Sequence, residues 1–276
     1  MDLPEIKHEA NEIRKDILRM IEKAGSGHPG GSLSCTDILS ALYFGNVLVH
    51  DPKNPKFDGR DYFFLAKGHA APAFYATLAH AGFFPQEELL TLRQMGSRLQ
   101  GHPDSNLLEG VEVCTGSLGQ GLSIACGTAC GLRIAGKDNA VFALLGDGEC
   151  GEGQVWEAAT FAAHQKLENL IAIIDVNGLQ IDGPCSEVCD SGDFASKFTS
   201  FGWDVSTVDG HDIAAMIKLF SRLKQTKKGV PHVVLAHTVK GKGVSFMENQ
   251  ASWHGKAPDE KQLAAALEEL VAKEAI

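Results

Sequence analysis

The sequence contains no run of 18 apolar residues, and so no segment that could cross a bilayer as a helix. Its opening stretch, MDLPEIKHEANEIRKDILRM, lacks the apolar core of a secretory leader and has instead the charged pattern of an amphipathic helix. Positive charge is not in excess: 25 Lys and Arg stand against 35 Asp and Glu, a net charge of −10. Such a chain repels nucleic acid and anionic membrane, and neither is expected as a partner. It also repels phosphorylated ligands, so a phosphate site here must carry its own local positive charge. No internal repeat and no low-complexity linker is present. There is no disulfide framework either. Seven cysteines, an odd number, are scattered through 276 residues, a length that supports a core without staples. Reduced thiols in a cytoplasm fit that pattern. Cys126/Cys130 and Cys185/Cys189 are each four apart, looser than the tightest zinc pairs. Cys126 and Cys130 lie among Ala, Gly and Ile and read as small core residues.

What is present is an ordinary globular balance, 44% hydrophobic and 22% charged. Short apolar runs predict strands at Tyr62–Leu65, Ala140–Leu145, Leu170–Asp175, Trp203–Val208 and His232–His237. Helical patterns fall at Ala70–His80, Gly119–Ile134, Gln154–Gln165, Phe194–Phe201 and Ile213–Lys224. This alternation predicts an α/β fold, a parallel sheet with helices on both faces. Ligands of such sheets bind outside the carboxyl ends of the strands, where the unusual residues cluster. After Pro258 the segment Asp259–Ile276 predicts a last helix, with Leu263, Leu267, Leu270 and Val271 on one side. Residues 1–255 are expected to form one domain and 256–276 a helical tail.

The sharpest motif is Gly146-Asp147-Gly148-Glu149-Cys150-Gly151-Glu152-Gly153. It follows the run AVFALL and opens a helix, and it satisfies the dinucleotide fingerprint G-x-G-x-x-G. Electrostatics opposes that reading. The fingerprint offers backbone N–H groups directly to a pyrophosphate, whereas Asp147, Glu149 and Glu152 bring carboxylates. A carboxylate about 4 Å from a phosphate costs roughly 4 kcal/mol at an effective dielectric near 20. A divalent cation between them reverses the sign. The acid at the next strand end, Asp175, lies 29 residues after Gly146, against about 20 for a ribose-binding acid. A metal site needs a second source of oxygen. Asp175-Val176-Asn177-Gly178-Leu179-Gln180 offers the Asn177 amide and the carbonyls of a turn. Magnesium wants six oxygens; Asp147, Asn177, a carbonyl near Leu179, two phosphate oxygens and a water complete that set.

Gly-Asp-Gly followed after 28 residues by Asn177 resembles the thiamine diphosphate motif. Within that superfamily the chain is similar to transketolase. The similarity rests on Gly27-His28-Pro29-Gly30-Gly31, Leu65-Ala66-Lys67-Gly68-His69-Ala70, Gly101-His102-Pro103, Thr115-Gly116-Ser117-Leu118-Gly119-Gln120-Gly121 and Trp253-His254-Gly255. These segments come in the family's order and cover essentially the whole chain. One departs from the pattern: Ser117 stands where proline is expected.

The resemblance implies the diphosphate-binding domain of a thiamine-diphosphate fold. Asp147, Asn177 and the Leu179 carbonyl would ligate Mg2+ (or Ca2+ or Mn2+). The Gly148 N–H, His69 and His254 would contact the diphosphate, and Gly116 and Leu118 the aminopyrimidine. His28, His69, His102 and His254 would line the sugar channel, and an ordinary imidazole pKa near neutrality suits proton shuttling there. Glu152 and Glu157 match two acids that link paired active sites in the family; by itself, Glu157 reads as a surface helix acid. Lys240 and Lys242 read by default as exposed loop lysines. His211 is expected at a helix start, and His232 and His237 in a strand.

The resemblance implies that the family's activating glutamate and its substrate-phosphate residues belong to a second domain, which is expected on a separate chain. The expected assembly is therefore a split enzyme, α2β2, in which a separate C-terminal subunit supplies those groups. The expected reaction moves a two-carbon ketol unit from a ketose phosphate to an aldose phosphate. The alternatives are the α subunit of a 2-oxo-acid dehydrogenase, an NAD(P)-dependent dehydrogenase, and a non-catalytic binding module.

Overall fold

Helix–strand alternation along the chain produces one central sheet. In order, the elements are α1 (Leu3–Ala24), α2 (Pro29–Phe44), β1 (Tyr62–Leu65), α3 (Ala71–His80), α4 (Gln120–Ile134), β2 (Val141–Gly146), α5 (Gly153–His164) and β3 (Leu170–Val176). Then come β4 (Leu179–Gln180) and β5 (Gly183–Pro184), which form a small antiparallel ribbon, and the short α6 (Cys185–Val188). The chain continues with α7 (Phe194–Ser200), β6 (Asp204–Asp209), α8 (Ile213–Gln225), β7 (His232–His237) and α9 (Glu260–Glu274). The main sheet runs β1-β2-β3-β7-β6, and every neighbouring pair is parallel. The structure is a computed structural model describing residues 1–274. Ala275 and Ile276, placed in the last helix by the sequence pattern, lie outside the described residues.

Successive strand residues face opposite sides of a sheet, and both sides are covered here. Phe142, Leu144, Ile171, Ile173 and Val234 join a core completed by α1, α2, α3 and α8. Val141, Ala143, Leu145, Leu170, Ala172 and Ile174 join a second core, completed by α4 and α5. Burial on both faces explains why these strands read as unbroken apolar runs.

The expected strands and helices are all present, with ends shifted by a residue or two. Trp203 precedes β6 instead of starting it, and its indole N–H donates to the Ala159 carbonyl at 2.9 Å. In α9, Leu270 is buried, but Val271 is 56% exposed and not part of the packed side.

Besides the single turn α6, the long helix α2 has no counterpart in the sequence pattern. In α2 all sixteen residues are buried, so it has no polar face and no amphipathic period. Its start, Pro29-Gly30-Gly31-Ser32, has the composition of a loop. The Ser32, Thr36 and Ser40 hydroxyls are satisfied by carbonyls four residues back, at 2.7–2.9 Å. Hydroxyls placed this way can be buried within the sheet-facing core without unpaired polar groups.

A half-buried ion triad ties α3 to α1. His80 Nδ1 meets Glu9 at 2.6 Å and Nε2 meets Asp16 at 2.9 Å. Carboxylates only accept, so both ring nitrogens donate and the ring is an imidazolium. Burial works against that charge, but hydrogen bonds to Asp16 and Glu9 outweigh it and raise the His80 pKa. A raised histidine pKa contributes stability below its unfolded value, and this stability is lost as pH rises through the folded value. The parent chain should therefore lose melting temperature on the alkaline side of pH 6.5, and His80→Gln should flatten that part of the profile. Identical slopes for the two proteins between pH 6 and 9 would remove His80 from this role.

Candidate active site

Four strand ends deliver polar groups to one place. After β1 the chain passes Lys67 and tightens into a 3-10 turn, Gly68–Ala70, that contains His69. Asp147 follows β2, Asp175 lies at the end of β3 with Asn177 just beyond it, and Lys240 comes three residues after β7. His28 is the residue that caps the start of α2, and His254 closes a second 3-10 turn, Ala251–Trp253. His69 and His254 thus sit in or at short helical turns, not in open loops.

All of these except Asp175 border a single cavity of 330 Å³. His28, His69, His102, His254, Gly116, Leu118, Asp147, Gly148, Glu152, Asn177 and Leu179 all line it, whereas Glu157 does not. Gly116 has φ +134, and a Cβ there would fall 3.0 Å from the His102 ring. The residue must therefore be glycine both for its backbone and for the space. Ser117, which replaces the expected proline, is exposed.

The histidine rings pack against one another. Ring centroids are 5.4 Å apart for His28–His69 and His28–His254, 5.1 Å for His69–His254 and 6.5 Å for His28–His102. Burial, then the Arg93 charge, lowers the His28 pKa to about 4. Burial and Lys240 lower His254 to about 3. Burial and Lys67 push His69 well down, and burial and Arg93 lower His102. This corrects the expectation of imidazoles titrating near neutrality. At pH 7 the wall is a set of neutral rings, each with one donor and one acceptor nitrogen.

The three carboxylates of the glycine loop have three different environments. Asp147 is buried and accepts from the Gly178 N–H at 2.5 Å and the Gly148 N–H at 2.8 Å. Burial, then the Asp175 charge, raises its pKa. Glu149 accepts from the Gly119 and Gly146 N–H groups at 2.9 and 3.1 Å, and burial pushes its pKa up to about 7. Glu152 is exposed, as is Glu157. The Gly146 and Gly148 N–H groups are thus held by side-chain carboxylates. A dinucleotide loop needs such groups open to a pyrophosphate, and here they are engaged.

The residues fit a hard cation and an anionic ligand. Asp147, Asn177 and the Leu179 carbonyl are oxygen donors lining one cavity, the ligand type that Mg2+ and Ca2+ prefer. Burial and the Asp175 charge, which raise the Asp147 pKa, outweigh the Lys240 charge that lowers it, so a cation bound at Asp147 would be favoured there. Gln180 also lines the cavity, and its Nε2 is a buried donor with no hydrogen-bond partner among the described residues.

The roles of several residues were not legible in the sequence. Lys240 is 2% exposed, not an exposed loop lysine, and donates to the Leu179 carbonyl at 3.1 Å and to His254 Nδ1 at 3.0 Å. Burial and the Lys67 charge lower its pKa to about 8. Lys242 is half-buried. Lys67 and Asp175 form a buried ion pair beneath the cavity. A lysine two residues past an apolar strand end was the available signal for that pair. His211, expected only at a helix start, also bridges Asp37 at 2.7 Å and the Val239 N–H at 2.9 Å.

Comparison with known proteins adds independent findings. Residues 6–274 match the family described as transketolase, thiamine diphosphate binding domain. The chain is 42% identical to a 6-deoxy-6-sulfo-D-fructose transketolase subunit of Clostridium sp. (strain MSTE9), covering 96% of each chain. It is 41% identical to an apulose-4-phosphate transketolase subunit of Phocaeicola vulgatus, covering 98% of this chain and 95% of that one. Among solved structures, the transketolase of Campylobacter jejuni superposes with a TM-score of 0.91 at 33% identity, over 98% of this chain and 43% of that one. The chain therefore spans less than half the length of that transketolase.

Proposed function

Given that this chain belongs to the family of transketolase thiamine diphosphate binding domains, we propose that it is the N-terminal subunit of a split transketolase. In this reading it moves a two-carbon ketol unit from a ketose phosphate to an aldose phosphate, in the cytoplasm, as part of an α2β2 assembly. A separate C-terminal subunit supplies the activating glutamate and the substrate-phosphate residues. The observation that carries the reading is the single cavity, which joins an oxygen-donor cluster to a wall of four histidines. The split-enzyme reading is supported by two relatives that are themselves named as subunits and are matched over nearly their whole length.

Each role follows from the chemistry of its residue. Asp147, Asn177 and the Leu179 carbonyl would hold the divalent cation, Mg2+ or in its place Ca2+ or Mn2+. His69 and His254 would donate to the diphosphate, and the Gly148 N–H, held by Asp147 in this structure, would have to exchange that partner to join them. Gly116 and Leu118 would bound the aminopyrimidine. Thiamine diphosphate, when bound, supplies the electron sink for carbon–carbon cleavage. His28, His69, His102 and His254 would orient substrate hydroxyls through neutral hydrogen bonds. Glu152 and Glu157, exposed on one copy, would meet a second copy and link the paired sites. Residues 1–255 would form the cofactor domain, with 256–276 as a tail whose α9 packs on α1. The two relatives are named for different sugars, which supports placing the residues that read the far end of the sugar on the partner.

The deciding experiment is reconstitution. The purified chain alone should show negligible ketol transfer, and addition of a C-terminal transketolase subunit encoded beside it should restore turnover. Robust turnover without a partner would refute the split-enzyme reading. Cleavage of a 2-oxo acid in place of a ketose phosphate would transfer the chain to the dehydrogenase alternative.

A further inference from the structure

Arg93 stands behind the histidine wall, outside every motif that drew attention in the sequence. Its guanidinium joins two separate histidine-bearing segments. Nη1 donates to Ser26 Oγ at 2.7 Å, and Nη2 reaches His28 Nδ1 at 3.3 Å and the Gly101 carbonyl at 3.5 Å. The Ser26–His28 segment and the Gly101–His102 segment are braced together by one planar group.

Two further features are built around that group. Arg93 has φ +58, the left-handed region that residues other than glycine rarely occupy. Its backbone N–H is anchored to the Leu99 carbonyl at 2.9 Å. Gly101 lies against the guanidinium: a Cβ there would fall 3.1 Å from Nε, 3.2 Å from Cζ and 3.3 Å from Nη2. Both the strained backbone and the missing side chain serve the placement of this guanidinium.

A guanidinium only donates hydrogen bonds. The Nδ1 of His28 that faces it must therefore present a lone pair, and a neutral ring then carries its proton on Nε2. We propose that Arg93 is a positioning residue that fixes His28 as the Nε2–H tautomer, so that His28 enters the cavity as a hydrogen-bond donor to a substrate oxygen. This rests on the transketolase reading for the identity of the substrate, though not for the tautomer. It also gives the histidine a defined task. A ring locked in this form donates to a carbonyl or hydroxyl oxygen, and its Nδ1 is not free to accept a proton from substrate.

The charged and titratable neighbours of His28 are His69 from the turn after β1, His102 from the segment that carries Arg93, and Lys240 and His254 from the segment after β7. The hydrogen bond at Nδ1 comes from Arg93.

The test is magnetic resonance of the full chain with isotopically labelled histidine, without cofactor or partner. The His28 signal is identified by its loss in His28→Ala. The parent should show the Nε2–H tautomer at pH 7. Arg93→Met should populate the Nδ1–H form and move the His28 pKa up toward the ordinary histidine value. Gly101→Ala should act in the same direction with Arg93 still in place, because its Cβ displaces the guanidinium. Arg93→Lys, which keeps a charged donor, should retain more of the Nε2–H form than Arg93→Met. In the reconstituted enzyme, Arg93→Met should raise KM for the ketose roughly fivefold to tenfold, with a smaller change in kcat. A parent proton on Nδ1, or an unchanged tautomer in both Arg93→Met and Gly101→Ala, would overturn the assignment. Absence of ketol transfer in every reconstitution would count against the functional reading alone, since the tautomer is read without activity.

Discussion

Replacing Asp147 with alanine is expected to weaken magnesium-dependent binding of thiamine diphosphate by at least about a hundredfold, because even residues that merely support a metal ligand cost tenfold to a hundredfold when lost. Asp147 is a buried carboxylate on the cavity wall, on the same side as Asn177 and Leu179 in the strand-end cluster. Its two hydrogen bonds come from the adjacent turns at Gly148 and Gly178, and they orient the carboxylate. Glu149 is equally buried, and its two hydrogen bonds, from the Gly119 and Gly146 N–H groups, tie the loop to the start of α4 and the end of β2. Glu149→Gln should therefore act mainly on the loop's geometry and less on cation affinity. Calorimetric titration of the chain with cofactor, at fixed magnesium, measures this directly. An Asp147→Ala chain that binds within tenfold of the parent would exclude Asp147 as a ligand. NAD(P) binding without magnesium by the parent would exclude the cofactor assignment altogether.

The second large effect concerns stability. Lys67→Met is expected to destabilise the chain by about 3–5 kcal/mol, the usual result of breaking a buried ion pair from one side. Both groups are essentially inaccessible, Lys67 at 1% and Asp175 at 0% exposure. Lys67 also donates to the Gly31 carbonyl at 2.9 Å, while Asp175 accepts from Ser34 at 2.6 Å and from Thr238. Burial opposes both charges, but mutual attraction outweighs it: the Lys67 pKa is raised and the Asp175 pKa is lowered. A lowered carboxyl pKa contributes stability above its unfolded value that is lost as pH falls through the folded one. A raised lysine pKa contributes stability below its unfolded value that is lost as pH rises through the folded one. The pair is thus fully effective between about pH 4 and 10. At pH 7 the melting temperature of Lys67→Met should fall by roughly 10 °C. The double variant Lys67→Met/Asp175→Asn should recover much of that loss, because no unpaired charge stays buried. If the double variant is as unstable as the single one, packing of the lysine stem is responsible and not the ion pair.

The pair also explains why the cavity can be so polar. It anchors Gly31 at the start of α2 to the ends of β1 and β3, directly below the histidines. A substitution there should loosen the site as well as the fold.

Much of this was legible in the residues. Period and length located the five main strands because these runs are short, apolar and bounded by turns. The acidic glycine loop was readable as a metal site because three carboxylates beside a phosphate cannot be stable without a cation. What escaped has a common cause. The helix α2 is buried on every side, so it has no hydrophobic period. Lys240 looked like a surface lysine because lysine in a glycine-rich loop usually is one. Only the chain folding back after β7 puts its ammonium beside Leu179 and His254. Arg93 had no motif, and its place follows from a left-handed backbone and a neighbouring glycine.

By itself, then, the sequence determined the alternating architecture, the chemical types gathered at the strand ends, and the sign of the charge that an anionic ligand must overcome. These depend on residue identity and local spacing, which the chain carries wherever it folds. Tertiary structure alone decided which carboxylates on the cavity wall are buried, which lysines are buried, and that the four imidazoles are neutral at pH 7. Those outcomes depend on burial and on charges brought from distant segments, and desolvation is a property of the assembled fold, not of any residue within it.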